Sequence, residues 1–192
     1  METGPKKHGE YTGRLGDRLS AMPSFEDSDL LLVADHGQKS ERIAVPYLGR
    51  THSSATTLSH LDIAVVDLRR PQRAILVCEI EEEKADPKKI IGDLFNIYMA
   101  DYLSVRRQKR AEKFSLDNAI IILGIRSFED SPQAKKAHNI VRKLSRMLSE
   151  EVKAGKKIHL VFGQEYDELT NRIERKILRM TNRYVRLRTE HR

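Results

Sequence analysis

The sequence predicts an α/β fold in which one mixed β-sheet carries helices on both faces. Three observations point there. Residues 118–125 (NAIIILGI) are apolar after Asn118, as a central strand buried on both faces must be. Residues 60–68 and 74–83 are strand-length segments, the first rich in β-branched residues and the second apolar from Ala74 to Cys78, on either side of the turn Arg69-Arg70-Pro71-Gln72, and read as a hairpin. From Asp86 onward, helix start and stop signals alternate with further strand-length apolar runs.

In order, residues 1–8 form a basic leader. In residues 9–21 the spacing of Tyr11, Leu15 and Leu19 predicts a short helix with one apolar stripe, interrupted by Gly13 and Gly16 and ended by Met22-Pro23. Residues 29–35 (DLLLVAD) fit a strand or a helical turn, 36–40 a turn, 42–48 a strand and 51–59 a polar loop. After the hairpin, Asp86 offers an N-cap and Pro87 a first helical position. That helix is expected to reach about Arg106, with Ile91, Leu94, Phe95, Tyr98 and Tyr102 on one face. Ser131-Pro132 opens a second long helix that Gly155 closes, 157–162 is a strand, and 165–183 is a final amphipathic helix. No repeat or linker interrupts the chain, so residues 1–192 are expected to form one domain.

A formal charge of +7 and a pI near 9.5 accompany acids that cluster and bases that spread. This suits a polyanion held by its phosphates beside a local pocket for cations, although charge alone leaves open a basic protein with no such partner. No apolar run has the length of a membrane span and residues 1–13 lack a signal-peptide core, which predicts a cytoplasmic protein without a membrane partner. A single cysteine, Cys78, excludes an intramolecular disulfide and a Cys-rich zinc site.

The apolar run 74–78 leads directly into Glu79, Glu81, Glu82 and Glu83. A turn centred on Arg70-Pro71 places Leu68 opposite Arg73, Val66 opposite Ile75, Ala64 opposite Val77 and Asp62 opposite Glu79. Alternation along the strand puts Glu81 on the same face as Glu79. Directly opposed residues have Cβ atoms about 5 Å apart, so three carboxylates would repel one another there. A divalent cation with oxygen ligands, Mg²⁺ above all, would offset that repulsion. A solvated strand end is the bland alternative, but solvation does not call for the opposed Asp62.

These residues resemble the PD-(D/E)XK, or restriction-endonuclease-like, nuclease superfamily. Asp62 matches the acid at the start of one strand, and Glu79-Ile80-Glu81 matches the acid–spacer–Lys motif of the next. Two departures stand out: Leu61 replaces the proline, and Glu81 replaces the lysine, giving the E-x-E variant. The resemblance implies a restriction-endonuclease-like core over about residues 9–125, in the order helix, three strands, helix, strand, with 126–192 as additions. It further implies hydrolysis of phosphodiester bonds, most readily of DNA, dependent on Mg²⁺ or Mn²⁺. Asp62, Glu79 and the Ile80 carbonyl would hold the metal, and Glu81 would serve as general base or ligand to a second metal. The missing positive charge would come from Lys84, Lys88 or Lys89, although the last two sit in a helical first turn that disfavours cations and are also consistent with a solvated face. Glu10 and Asp17 are the candidates for an acid from the N-terminal helix. Cutting both strands of a duplex would favour a homodimer. The Glu81 replacement also fits a second class, a nucleic-acid-binding protein that kept the scaffold without catalysis. A third class is an acidic-site protein with no nucleic-acid role.

Other residues have plainer expectations. Cys78 faces away from Glu79 as a small core residue; His60 lies on the Asp62 face and is a candidate metal or phosphate contact. Asp67 belongs to the turn side, Asp93 and Asp101 read as helix-surface acids, and Asp117 as loop. Two basic patches suit phosphates or solvent: Arg106, Arg107, Lys109 and Arg110, and the last helix with Arg172, Arg175, Lys176, Arg179 and Arg183.

Overall fold

A computed structural model describes residues 9–26, 29–36, 43–81, 87–107, 110–151 and 155–190. Along the chain the elements are α1 Glu10–Ser20, α2 Pro23–Glu26, β1 Leu30–Ala34, β2 Ala44–Tyr47, β3 Ile63–Asp67 and β4 Arg73–Glu81. There follow α3 Pro87–Met99, β5 Tyr102–Arg107, β6 Arg110–Ser115, β7 Ile120–Arg126, α4 Pro132–Glu151, β8 Lys157–Gly163 and α5 Tyr166–Glu190. The expected leader 1–8, Arg42 at the start of the second predicted strand, and Glu82, Glu83 and Asp86 lie outside the described residues.

The strands form one mixed eight-stranded sheet. β3 is antiparallel to β1 and β4, β4 is parallel to β7, and β7 is parallel to β8. A branch leaves the base of β4 at the Arg73–Ser115 pair and runs through β6 and β5 to β2. Ala44 of β2 then bridges back to Leu61, just before β3.

Alternation sends the two faces of the central strands into two cores. Ala64, Val66, Ala74, Val77, Ile121 and Leu123 pack with Ile90, Leu94, Ile97 and Tyr98 of α3 and with Ala134 and Ala137 of α4. Ile63, Val65, Ile75, Leu76, Cys78 and Ile122 pack with Leu15 and Leu19 of α1 and Leu169, Ile173 and Ile177 of α5. Helices therefore cover both faces, as the pattern predicts. Gly16 is what lets α1 lie on β1: a Cβ there would stand 2.7 Å from the Ala34 Cβ.

Three expectations change. The hairpin register holds from Ile63–Cys78 to Val65–Leu76, but a bulge then pairs Val66 with Ala74 rather than Ile75. Ile75 and Leu76 consequently share one core, so Ile75 leaves the face on which the acids stand. The helix expected to reach Arg106 stops at Met99, where Lys156 donates to the carbonyls of Ile97, Tyr98 and Ala100 at 3.1, 2.7 and 2.7 Å. Its buried stripe is Ile90, Leu94, Ile97 and Tyr98, leaving Ile91 and Phe95 40% and 47% exposed. Beyond it, Leu103 and Val105 turn inward at a period of two and form β5, and the expected basic loop becomes the β5–β6 hairpin. Lastly, α5 continues past Arg183 because Tyr184 and Arg188 reach the fully buried Asp67. The Tyr184 hydroxyl donates to Asp67 at 2.6 Å, and Arg69 adds a 3.1 Å contact.

Candidate active site

β4 is buried from Ala74 to Cys78 and again at Ile80, so its acids emerge on the α3 side at the strand's end. β3 pairs Ile63 with Cys78; one residue earlier, Asp62 meets the end of β4. Its Oδ2 accepts a 2.7 Å hydrogen bond from the Ile80 amide, which fixes the carboxylate against that strand. Asp62 and Glu79 also share a side-chain hydrogen bond. Burial, then the charges of Asp62 and Asp93, push the Glu79 carboxyl well above the usual range.

Glu81 is only 2% exposed and contacts the Lys89 ammonium at 2.8 Å. Asp93, one helical turn beyond Lys89, shares a hydrogen bond with Glu81. Burial, followed by that hydrogen bond and the charges of Glu81 and Asp62, raises Asp93 to about 7 against the opposing pull of Lys89. For Lys89, burial works downward, but the hydrogen bond to Glu81 and the neighbouring carboxylates outweigh it and raise its pKa. Among the described residues, Glu81, Asp93 and Asp62 thus act on the Lys89 ammonium at the end of β4, and Glu79 stands against Asp62.

The sequence leaves Asp93 on the helix surface because α3 is rotated in the structure relative to the expected apolar face. With Ile91 and Phe95 taken as buried, Asp93 faces solvent. With Ile90 and Leu94 buried, Lys89 and Asp93 flank them, four residues apart on one side of α3. The surviving signal is that i, i+4 pair of opposite charge in the helix immediately following an acidic strand.

The remaining candidates are placed as follows. Ile80 puts its side chain in the opposite core, and Leu61 is fully buried beneath the site. His60 and Lys88 are exposed, and Lys84 lies outside the described residues. Cys78 is fully buried on the far face; burial first, then Asp62 and Glu79, raise its thiol well above the ordinary range. Glu10 pairs with Arg14, and Asp17 likewise belongs to α1, on the opposite face of the sheet. Asp101 accepts from the Gly49 amide, and Asp117 from the Ser115 hydroxyl, each at 2.7 Å.

The two basic patches separate. The arginines of α5 stand on the face opposite the acids, and Arg172 is engaged by Glu168 at 2.7 Å and the Phe162 carbonyl at 2.9 Å. Arg106 falls nearer. Ala44 pairs with both Leu61 and Val105, and the Arg106 amide donates to Ile43 at 3.3 Å. Through Ala44, Val105 lies two strand spacings, about 10 Å, from Leu61, and Arg106 and Asp62 are the neighbours of that pair along the chain. Arg106 is exposed there; Lys109 of the same patch lies outside the described residues.

As placed, the carboxyls pair with one another, and no three His, Cys, Asp or Glu side chains among the described residues converge on one metal position. The donor chemistry itself fits a hard divalent cation: oxygen ligands only, with two carboxyl–carboxyl pairs whose repulsion such an ion would relieve. Among the described residues no helix is long and apolar enough to cross a membrane. Comparison with protein-family models, curated proteins and solved structures found no match to this chain.

Proposed function

We propose that this chain is a Mg²⁺- or Mn²⁺-dependent nuclease built on a restriction-endonuclease-like core and acting on DNA. The observation that carries the proposal is the hairpin end: Asp62 bonded to the Ile80 amide and to Glu79, with Glu81 on Lys89. The element order supports it as well. With α2, β2 and the β5–β6 hairpin set aside as additions, the chain runs α1, then β1, β3 and β4, then α3, then β7.

Asp62 and Glu79 would hold the cation, with the Ile80 carbonyl as a third oxygen. Bound there, it would polarise the phosphate and acidify a water ligand. Glu81 cannot supply the positive charge of the family's lysine, but Lys89, 2.8 Å from it, does so from the following helix. Glu81 in turn orients that ammonium, and Asp93 beside it takes up a proton near neutral pH. Arg106, exposed beside Val105 on the branch that bridges back to Leu61, suits a phosphate of the neighbouring backbone.

The test is plasmid cleavage with Mg²⁺ or Mn²⁺ by the wild type, Asp62→Asn and Glu79→Gln. Loss of cutting in both variants is expected; cutting that survives both would overturn the assignment. The Glu81–Lys89 pair also suits a nucleic-acid-binding protein without catalysis, which retained DNA binding with no cleavage in any metal would favour. Absence of binding even at about 50 mM salt would remove nucleic acid as partner.

A further inference from the structure

A second site lies at the other end of the sheet. A cavity of about 430 Å³ opens between α5 and the first residues of β4, β7 and β8. Six residues of extended chain separate Arg73 at this cavity from Glu79, about 20 Å, so one small ligand cannot span both sites. The volume falls within the roughly 300–1,000 Å³ of small-molecule pockets.

Its lining is divided by chemistry. Ala74, Ile75, Ile120 and Met180 make an apolar floor, and Leu187, 46% exposed, stands at the mouth. Around them are Arg73, Lys157 and Arg183, with Asp117 as the opposing charge. Asp117 is already occupied by the Ser115 hydroxyl and amide arrangement, accepting from the hydroxyl at 2.7 Å. His159 also lines the cavity; burial, then Lys176 and Lys157, depress its pKa, as a positive local field requires.

The walls are preformed. The Arg73 guanidinium lies 5.1 Å from the Tyr184 ring centroid and donates to its hydroxyl at 3.0 Å, while that hydroxyl donates to buried Asp67. Gly155 closes the loop wall so tightly that a Cβ would stand 2.2 Å from the Asn118 Oδ1. Neither the arginine nor the ring has to be ordered when a ligand enters, which reduces the entropic penalty of binding.

We propose that this cavity binds a phosphorylated small molecule of nucleotide size, its flat ring on the Ile75–Met180 floor beside Tyr184 and its phosphate between Arg183, Lys157 and Arg73. Cations surrounding an apolar floor favour an anion with a ring over a bare ion or a neutral heterocycle. The volume suits a mononucleotide rather than a polymer. The site stands apart from the hydrolysis proposed above and does not depend on it.

Isothermal titration calorimetry of the full chain with adenosine 5′-monophosphate, adenosine and inorganic phosphate tests this directly. The monophosphate should bind saturably, at least about tenfold tighter than either fragment. Arg183→Glu and, separately, Lys157→Gln should each weaken it about tenfold or more, since each removes a charge-assisted contact. Arg142→Glu, on α4 across the sheet, should leave it unchanged, showing that general positive charge is not responsible. No saturation in the millimolar range, phosphate alone binding as tightly, or equal weakening by Arg142→Glu would each overturn the proposal.

Discussion

Asp93→Asn should stabilise the metal-free protein above neutral pH and flatten its pH dependence. Asp93 moves from an ordinary 3.8 to about 7 on folding, because burial and the Glu81 contact disfavour its charge. Between those two values the folded state holds more protons than the unfolded chain, so stability falls as pH rises from about 4 to 7 and stays low above. At about 1.4 kcal/mol per pH unit the full displacement corresponds to about 4 kcal/mol. The side chain is partly open to water, and screening reduces the expected effect to about 2 kcal/mol. Glu79, raised for the same reasons, contributes in the same direction. Urea unfolding followed by circular dichroism at pH 5, 6, 7 and 8, with chelator present, measures the difference between wild type and variant. The two curves should converge near pH 4–5 and separate toward pH 8. Adding Mg²⁺ or Mn²⁺ at pH 8 should recover stability in the wild type. Equal stability of the two proteins at pH 8, or a wild type that gains on the variant as pH rises, would refute the claim that these carboxyls are pressed together.

Three further outcomes follow from other contacts. Lys89→Ala leaves the buried Glu81 without its cation; cleavage should drop by at least about tenfold, and stability by about 1 kcal/mol given the lysine's partial exposure, read by single-turnover assays and urea melts. Asp67→Ala strands Arg69, Arg188 and the Tyr184 hydroxyl around a buried hole and should cost about 3–5 kcal/mol, with hydrogen exchange rising first along the end of α5. Lys156, lowered to about 8 chiefly by burial, binds fewer protons folded than unfolded between about 8 and its ordinary 10.5. Wild-type stability should therefore gain a rising component across that window, which Lys156→Met should abolish while loosening the end of α3 by about 1–2 kcal/mol.

Much of the acid end is local in origin. The hairpin and the period of two that puts Glu79 and Glu81 on one face can be counted along the chain, whereas the pairing of Asp62 with the end of β4 also needs the bulge. The bulge at Val65/Val66 lies between the turn and the site. Next to the turn Asp67 pairs with Arg73 and Val66 with Ala74. The extra residue in β4 both moves Ile75 to the other core and restores the register that brings Asp62 to Glu79 rather than Cys78. The apolar run of β7 and the helix start at Pro132 were equally readable, since burial on both faces and a proline in the first helical turn leave local marks.

The tertiary structure decided the rest. Ile90 and Ile91, like Leu94 and Phe95, are adjacent apolar pairs, so α3 offers two stripes about 100° apart of similar hydrophobicity. Which one is buried depends on the sheet and α4 that receive it, and the choice of Ile90 and Leu94 brings Lys89 and Asp93 to Glu81. Val105, beside Arg106, pairs with Ala44 of β2, which bridges to Leu61 beside Asp62, and no local pattern encodes that long-range pairing. By itself, then, the sequence determined the hairpin and the carboxylates at its end, because backbone periodicity is a property of neighbouring residues. The cation and the fourth acid beside them were settled only by packing, because burial free energy depends on the surface that each face meets.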